Sequence, residues 1–407
     1  MLSRVAIVLL ILAPSLVVER AIALDHQRQP VPNSYFGMTF IDWKRIPTGE
    51  VGSLGKGTLV TWPYIERSSG NFDWSNLDNW VNAAERNRVD FIYSFKGVPK
   101  WAASDESKCE RSAIKEVDRC NCMPKDISFF KRFVEALVTR YVGKIQYYEL
   151  WNEPEFDAGI SVHEMAALTK VASSIIRTLD PTAKIISPSL NGRAAKYADE
   201  ILALSDPRDF DIVSVHTYTP SGANYPETIS THYTETDAVL SPIFPVLQMR
   251  GYGSKPLWST EGAWSDRRML PEADQPAFVA RALLLHWSSG IDRFYWYAFD
   301  HTSLGRLLGT RAGQAYDTTR RWMLGAVMTR ACAKLTEVST IWSCELTRPG
   351  RFPGAMVIWS VRGEVEFRVP SRFTKASFLN GLSNHVQGMM KVGAEPILLE
   401  ASESGGR

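Results

Sequence analysis

The 407-residue sequence lacks a strong charge of either sign. Its formal net charge is only +2 at pH 7, and no run of Lys and Arg is interleaved with aromatic residues. Proteins that bind nucleic acid or anionic membrane surfaces usually carry such a positive field, so neither partner is expected. The seven histidines show no HxH or HExxH arrangement, which argues against a metal-dependent hydrolase.

Long apolar runs are absent except at the N-terminus. Arg4 precedes an apolar stretch over residues 5–18, and Ala21-Ile22-Ala23 matches a small-x-small cleavage site. This pattern predicts a signal peptide over residues 1–23 and a secreted or periplasmic mature protein without stable membrane insertion. An uncleaved membrane anchor is the alternative, but Pro14 interrupts the stretch, which is shorter than the roughly 20 residues that span a bilayer.

Short apolar, β-branched runs alternate with longer segments of helical spacing along most of the chain. This alternation is typical of a parallel sheet wrapped by helices, and about eight such units close naturally into a (β/α)8 TIM barrel. An open doubly wound sheet is the alternative, but no glycine-rich phosphate turn follows the first run. The predicted strands cover residues 35–40, 57–62, 91–95, 145–151, 184–188, 211–216, 256–261 and 293–298, and the predicted helices 77–87, 127–141, 163–179, 237–249, 275–288 and 316–329.

The pattern changes near residue 336, after which short strands follow one another without helices between them. We therefore predict an α/β protein with a catalytic barrel over residues 24–335. A small all-β, sandwich-like domain is expected over residues 336–407.

The five cysteines fall into two groups: Cys109, Cys120 and Cys122, then Cys332 and Cys344. In an exported protein we expect a disulfide in each group, with one thiol left over. Cys109 would pair with Cys120 or Cys122, and Cys332 with Cys344 would tie the last barrel helix to the β-domain. Zinc is the alternative for Cys120 and Cys122, but their one-residue spacing does not fit a zinc site.

Two of the predicted strands end in glutamate. The run YYELWNEP ends near Glu153, and LWSTEG ends near Glu261. Alternation along the first run would place Glu149, Trp151 and Glu153 on one side and Asn152 on the other. Active sites of parallel barrels lie at the carboxyl ends of their strands, so both glutamates are candidate catalytic groups.

Two carboxyl groups are what glycoside hydrolysis requires. A separation of roughly 5–5.5 Å suits a nucleophile and a covalent intermediate. We expect apolar neighbours to raise the pKa of Glu153 and hydrogen bonds to keep Glu261 charged. The alternative is that both glutamates are ordinary ion-pair partners.

The segments LWNEP (150–154) and WSTEG (258–262) together resemble the paired signature of the clan A glycoside hydrolases. In that clan the acid/base follows an Asn on strand four, and the nucleophile ends strand seven. GNFDW (70–74), GVPKWA (97–102) and the closing β-domain resemble family 39 and related cellulase- and xylosidase-like families. The resemblance implies a retaining enzyme without cofactor, with Glu153 as acid/base and Glu261 as nucleophile.

The same resemblance implies further substrate-binding residues. Asn152 would bind the sugar 2-hydroxyl, and Tyr218 would orient the nucleophile, while His216 either binds substrate or is a structural histidine. Trp296 would form the aromatic platform under the sugar, with core packing as its alternative. Trp101 either lines a further subsite or packs its loop.

Two positions depart from the clan pattern. Many members carry an Arg near the end of strand two, whereas this chain has LVTW at 59–62, so the sequence identifies no residue for that contact to the nucleophile. Strand three ends at Lys96, which either holds an acidic sugar or extends into solvent. The Cys-bearing insertion 104–124 either walls one end of the cleft or is a stapled surface loop.

Taken together, these features predict a secreted, monomeric retaining β-glycoside hydrolase that acts on an oligo- or polysaccharide without a metal. The alternative is a carbohydrate-binding barrel without turnover, but both glutamates are present. The sugar, the linkage and the endo or exo mode stay open.

Overall fold

The structure of the protein is a computed structural model that describes residues 29–401, except 48–50, 112–115, 158, 193, 221–224, 232–237, 265–269, 337–338 and 351. The predicted signal peptide over residues 1–23 lies outside the described residues. Within the described part, none of the helices has the length and apolar character needed to cross a membrane.

Strands and helices alternate through the first four fifths of the described chain. The strands are β1 (Phe36–Met38), β2 (Ser53–Leu54), β3 (Ile92–Ser94), β4 (Val98–Pro99), β5 (Cys109–Arg111), β6 (Asp118–Cys120), β7 (Tyr147–Glu149), β8 (Lys184–Ile186), β9 (Leu190–Asn191), β10 (Val213–His216), β11 (Leu257–Gly262) and β12 (Arg293–Trp296). The α-helices are α1 (Trp62–Ile65), α2 (Ser75–Asn87), α3 (Ile127–Arg140), α4 (Val162–Leu179), α5 (Ala195–Ala203), α6 (Ile243–Met249), α7 (Gln275–Ser288) and α8 (Arg311–Met323).

Parallel strands form the centre of this mixed α/β part. One sheet has the order β2-β1-β12-β11-β10-β9, and a second has the order β3-β7-β8. Two isolated parallel bridges join the sheets, Leu54 with Phe91 and Ile186 with Ile212. With these bridges, eight of the described strands have a parallel neighbour on each side: β1, β2, β3, β7, β8, β10, β11 and β12.

The prediction of the second strand was wrong. We expected residues 57–62 to be extended, but β2 is Ser53–Leu54 and residues 62–65 form α1. Thr61 is extended and Pro63 lies in the first turn of α1, where proline's fixed φ and missing N–H favour a helix start. The apolar run therefore packs as a turn and a helix, and the strand ends just before Lys56.

The last predicted helix was shifted along the chain. Residues 316–329 were expected to be helical, whereas α8 covers Arg311–Met323. The side chain of Thr310 caps its start by accepting a hydrogen bond from the Gly313 N–H. Gly325 then adopts a φ of 73°, and the chain enters a strand at Val327.

The C-terminal part is built from antiparallel strands: β13 (Val327–Lys334), β14 (Ile341–Arg348), β15 (Phe352–Ser360), β16 (Val365–Arg368), β17 (Phe373–Ser377), β18 (Ser383–His385), β19 (Met389–Val392) and β20 (Ile397–Ala401). Six of them form a sheet in the order β13-β14-β15-β20-β17-β18, and β16 pairs with β19. Alternation along β15 divides its side chains between two cores. Val357 and Trp359 join the main core, while Met356 and Ile358 join a second core with residues of β17, β19 and β20.

Both predicted disulfide groups contain a bridge. Cys109 pairs with Cys120 across β5 and β6, which leaves Cys122 as a buried free thiol. Cys332 pairs with Cys344, but both lie in adjacent strands of the C-terminal sheet, so this bridge does not tie the last helix to the β-domain as expected.

Candidate active site

Glu153 and Glu261 come together at the carboxyl ends of the parallel strands. Glu261 lies near the end of β11, and Glu153 follows the end of β7. A carboxylate oxygen of each and a ring nitrogen of His216 all lie within 4.8 Å of one another. The side chains of Glu153 and Glu261 keep 23% and 12% of their surface exposed, so a molecule in solvent can reach both.

The backbone turns at Glu153, which has the left-handed angles φ 49° and ψ 59°. Pro154 then begins a short 3₁₀ helix. The expected alternation, with Asn152 opposite Glu149 and Glu153, is therefore wrong. Strand β7 ends at Glu149, and the side chains of Glu149 and Asn152 both contact the ammonium group of Lys56.

His216, the last residue of β10, is fully buried between charged groups. Its Nδ1 lies 2.8 Å from Oε1 of Glu153 and 3.7 Å from Oε2 of Glu261. Its Nε2 lies 2.9 Å from Nζ of Lys56. Both ring nitrogens of His216 thus contact side chains of the candidate active site, Nδ1 that of Glu153 and Nε2 that of Lys56. A purely structural histidine would not require these contacts.

Tyr218 contacts the other candidate catalytic carboxylate. Its hydroxyl donates a hydrogen bond of 2.8 Å to Oε2 of Glu261, as the resemblance implies. Burial, followed by the charge of Glu261, raises the pKa of Tyr218 well above its ordinary value, so the hydroxyl stays protonated and donating.

Lys56 is a site residue that sequence reasoning missed. Its Nζ lies within 3.0 Å of four acceptors, which belong to Asn152, His216, Glu149 and Glu261. Burial alone would lower the pKa of Lys56, but the charges and hydrogen bonds of Glu149 and Glu261 raise it above its ordinary value. The group is therefore an ammonium ion in direct contact with Oε1 of Glu261.

The position of Lys56 in the sequence explains why it was missed. The expected strand at residues 57–62 placed Lys56 before the strand, far from its carboxyl end. The one available signal was a lysine between Gly55 and Gly57, directly after the short apolar segment that forms β2. The contact from the second strand to the nucleophile candidate is thus made by a lysine.

Glu149 is a buried carboxylate at the inner side of the cluster, with no exposed surface. It accepts hydrogen bonds from Ser94 Oγ at 2.7 Å, Ser214 Oγ at 3.0 Å and Thr260 Oγ1 at 2.6 Å. Lys56 Nζ adds an ion pair at 2.9 Å. Since its oxygens are satisfied by protein groups and closed to solvent, Glu149 holds Lys56 rather than a substrate.

The cations of the cluster set the electrostatics of both exposed glutamates. Burial raises the pKa of Glu153, but the hydrogen bond from His216 and the charges of Lys56 and Lys96 outweigh it and lower the pKa. Burial also raises the pKa of Glu261, but the charge and hydrogen bond of Lys56 lower it below its ordinary value. The expectation of a raised pKa for Glu153 is therefore wrong for the unliganded protein, because its polar neighbours outweigh its apolar ones.

Trp296 does not form an open platform. Its side chain is fully buried, its Nε1 donates to the carbonyl of Gly305, and its ring packs against Trp264 and Phe278. The next residue, Tyr297, is the partly exposed aromatic of this segment. Glu261 and Glu153 both act electrostatically on its hydroxyl, and its ring lies 6.4 Å from that of Tyr218.

Trp101 makes its contacts within the protein. The Trp101 Nε1 donates a hydrogen bond of 2.8 Å to the carbonyl of Glu66, and its ring packs against those of Trp62 and Phe129. These contacts correspond to the loop-packing alternative.

Lys96 is partly buried rather than extended into solvent. Its Nζ donates to the Asn152 carbonyl at 2.8 Å and pairs with Asp157 at 3.2 Å. It therefore supports the turn between β7 and Glu153.

Glu153, His216 and Glu261 also have the donor types of a metal site. The ammonium of Lys56, however, lies 2.9 Å from Nε2 of His216 and 3.0 Å from Oε1 of Glu261. The protein thus supplies positive charge to this cluster from its own side chains. Chemistry without a metal stays a prediction, which a chelator can test.

Solved structures with the same fold include several glycosidases. The chain is 12% identical to CelM2, a bifunctional glucanase-xylanase from a metagenome library, with a TM-score of 0.62, and the match covers 93% of this chain and 98% of that one. A family 39 enzyme from Xanthomonas axonopodis pv. citri is 13% identical over 91% of this chain and 95% of its own, with a TM-score of 0.60. A monomeric β-xylosidase from Caulobacter crescentus CB15 is 13% identical over 92% and 97%, with a TM-score of 0.59.

A family model supplies the assignment that these distant structures cannot. The model for cellulase, glycosyl hydrolase family 5, matches residues 45–265 of the 407-residue chain. This confirms the resemblance to clan A, while family 39 enters as a structural neighbour. The chain belongs to the cellulase family, glycosyl hydrolase family 5, and is a glycosidase.

Proposed function

We propose that the protein is a secreted, retaining β-glycosidase that uses Glu261 as nucleophile and Glu153 as acid/base. The observation that carries the proposal is the distance between the two side chains, whose carboxylate oxygens approach within 4.8 Å. Retaining enzymes hold their carboxyl groups roughly 5–5.5 Å apart, whereas inverting enzymes leave about 6.5–9.5 Å for a water molecule. The short separation favours direct attack by a carboxylate.

The first chemical step follows from the contacts of the two glutamates. Glu261 is kept ionised by Lys56 and oriented by Tyr218, so its oxygen attacks the anomeric carbon. The bond from that carbon to the leaving oxygen breaks as Glu153 gives the leaving oxygen a proton. This step yields a glycosyl ester on Glu261 and a free alcohol.

The second step reverses these roles. Glu153, now a carboxylate, takes a proton from a water molecule that attacks the anomeric carbon. The ester bond to Glu261 breaks, and the sugar leaves with its original anomeric configuration. His216 donates to Glu153 from Nδ1 and holds its carboxylate in place through both steps.

Asn152 and Tyr297 are the proposed substrate contacts. The Oδ1 of Asn152 is held by Lys56, which leaves the amide nitrogen for the sugar 2-hydroxyl. Tyr297 lies beside the carboxylates as the aromatic surface for the bound sugar. We do not propose this role for Trp296, because it is buried.

The domain arrangement belongs to the same proposal. The parallel neighbours on both sides of eight strands support a (β/α)8 barrel. The signal peptide over residues 1–23 is proposed from its sequence pattern. The antiparallel sheet that begins at Val327 supports a β-domain starting there rather than at residue 336. We expect the mature protein to be a secreted or periplasmic monomer.

The substrates to screen first are β-linked glucans and xylans, because the family is named for cellulase and similar structures include a glucanase-xylanase and a β-xylosidase. Purified mature protein would be incubated with aryl β-glycosides and polysaccharides, and proton NMR would follow the product anomers. A β-anomer that appears before mutarotation supports retention. Saturable binding without turnover on any substrate would instead favour a carbohydrate-binding protein.

Variants of the two glutamates test their roles. Glu153→Gln should lose about 10²–10⁴ in rate through lost proton transfer. Glu261→Ala should be inactive with water but should form an α-glycosyl azide when azide is added. Glu200→Gln, on the surface of α5, is the matched control and should behave as wild type. Turnover unchanged in either active-site variant contradicts the assignment, and inhibition by a chelator would indicate a metal.

A further inference from the structure

The ammonium group of Lys56 contacts more acceptor atoms than it has N–H donors. An ammonium carries three N–H donors and no acceptor. Asn152 Oδ1, His216 Nε2, Glu149 Oε2 and Glu261 Oε1 all lie within 3.0 Å of Nζ. Lys56 therefore shares its protons among four oxygen and nitrogen atoms.

One of these contacts fixes a histidine tautomer. Because an ammonium can only donate, Nε2 of His216 must accept and carries no proton. The neutral ring then holds its proton on Nδ1, which lies 2.8 Å from Oε1 of Glu153. That N–H accordingly donates to the Glu153 carboxylate.

We propose that Lys56 is a positioning residue that couples the two catalytic carboxylates through one buried ammonium group. It holds Glu261 directly, and it holds Glu153 indirectly by keeping His216 in the Nδ1–H tautomer. This inference rests on the proposed function for the names of the two carboxylates, but the tautomer follows from the contacts alone.

Glu149 is the counterion that keeps Lys56 in place. It is closed to solvent, and Ser94, Ser214 and Thr260 fix both of its oxygens. Its ion pair with Nζ at 2.9 Å points the ammonium toward Glu261. Among the described residues, the charged or titratable groups that touch Lys56 are Glu149, Glu261 and His216.

The coupling has a consequence for the pH profile. Removing the Lys56 charge takes a stabilising cation from the Glu261 carboxylate, so the pKa of Glu261 rises. The acid limb of kcat/KM, where the nucleophile must be ionised, should therefore move to higher pH. A residue that only supports the fold would lower activity without moving this limb.

The test compares Lys56→Met, Lys56→Arg and Glu149→Gln with the control Lys196→Met, whose side chain is 92% exposed. Lys56→Met should lower kcat by about 10²–10³, as expected for a lost electrostatic contact in an active site, and raise the acid limb. Lys56→Arg should recover part of this loss because it keeps the charge. Glu149→Gln should lose less than Lys56→Met, because Lys56 keeps its other three acceptors.

The tautomer provides a readout that does not depend on activity. Long-range ¹H–¹⁵N NMR of protein labelled at histidine distinguishes Nδ1–H from Nε2–H rings, and His216→Gln identifies the His216 signal. Wild type should show a proton on Nδ1 alone, whereas Lys56→Met should also protonate Nε2, because no ammonium group then blocks that nitrogen.

Either of two results overturns the proposal: an Nε2–H ring in wild type, or an unmoved acid limb in folded Lys56→Met. A wild-type protein without turnover would instead overturn the proposed function, while the NMR result would still decide the tautomer. If Lys56→Met does not fold, the kinetics of Lys56→Arg and the His216 signal of wild type still test the proposal.

Discussion

The two carboxylate oxygens of Glu261 are held by different residues, Oε2 by the Tyr218 hydroxyl at 2.8 Å and Oε1 by the Lys56 ammonium at 3.0 Å. The carboxylate is thus fixed in one orientation by a neutral donor and a cation. Because a hydrogen bond to a charged group contributes about 1.5–3 kcal/mol, each contact is large enough to matter for catalysis.

Tyr218→Phe removes the neutral donor and leaves the ring. We expect kcat to fall about 10- to 100-fold, since the carboxylate loses one of its two fixed partners. Steady-state kinetics on an aryl glycoside measures the loss, and circular dichroism checks the fold. Tyr252→Phe is the control, because among the described residues its buried hydroxyl has no hydrogen-bond partner. Equal activity in the two variants would contradict the orienting role.

The lowered pKa values of Glu153 and Glu261 predict an acid-shifted profile. The pKa values of both groups lie below the ordinary value of 4.5, so kcat/KM, which reports the free enzyme, should already fall with rising pH below pH 4.5. The two limbs belong to the coupled pair rather than to either residue.

Substrate should move the basic limb upward. A bound sugar covers the exposed part of Glu153, and this desolvation favours its neutral, proton-donating form. The basic-limb pKa of kcat should therefore exceed that of kcat/KM, with net proton uptake on binding. Calorimetry of an unreactive substrate analogue in buffers of different ionisation enthalpy measures the uptake. Proton release would contradict this mechanism.

The same carboxylates affect stability in the acid range. A carboxyl group whose pKa is lowered on folding stabilises the protein above its unfolded-state pKa, near 4.3, and loses that contribution as pH falls through the folded pKa. Thermal melts at each pH must therefore accompany the rate measurements. Loss of activity at a pH where the fold persists can be assigned to protonation of the coupled pair Glu153 and Glu261 rather than to unfolding.

Tyr297 and Trp296 should respond differently to truncation. Tyr297→Ala should raise KM or lower kcat with little effect on stability, because its ring lies partly exposed beside Glu261. Trp296→Ala should cost about 3–5 kcal/mol of folding free energy, because it empties a fully buried site. Urea unfolding and kinetics of both variants separate the two effects. A Trp296→Ala variant that is stable but inactive would favour Trp296, rather than Tyr297, as the aromatic contact to the sugar.

Periodicity identified the strands that carry the site, but not the local turns that complete it. Glu153 and Glu261 were predicted as candidates because each lies at the end of a short apolar run within a specific motif. Seven of the eight predicted strand regions overlap a parallel strand of the described chain. The motif and the strand periodicity together predict a catalytic candidate at the carboxyl end of a parallel strand.

The sequence pattern did not predict Lys56 or Tyr297 as candidate site residues, for two different physical reasons. Strand β2 has only two residues, Ser53 and Leu54, too few for a period to appear, while the longer apolar run after it packs as a turn and the start of α1. Tyr297, the proposed aromatic contact to the sugar, lies one position beyond the end of strand β12 at Trp296, so the alternation of the strand does not extend to it. Strand termination depends on tertiary contacts such as the bond from Trp296 to Gly305.

The C-terminal sheet meets the α/β part through a buried ion pair. The carboxylate of Glu227 contacts the guanidinium of Arg281 on α7 at 3.2 Å and accepts a hydrogen bond of 2.8 Å from Nε1 of Trp359 on β15. Glu227 and Arg281 are both buried. A charge in this position is costly to leave unpaired because water cannot replace its partner.

Arg281→Met should therefore destabilise the protein by about 3–5 kcal/mol, since it leaves the buried Glu227 carboxylate without its cation. Adding Glu227→Leu should recover much of this loss, because the double variant contains no unpaired charge. The control is Arg250→Met, which breaks a partly exposed pair with Asp199 and should cost at most about 1 kcal/mol. Urea unfolding of the four proteins measures these differences, and an Arg281→Met variant as stable as Arg250→Met would contradict the cost assigned to breaking the buried pair.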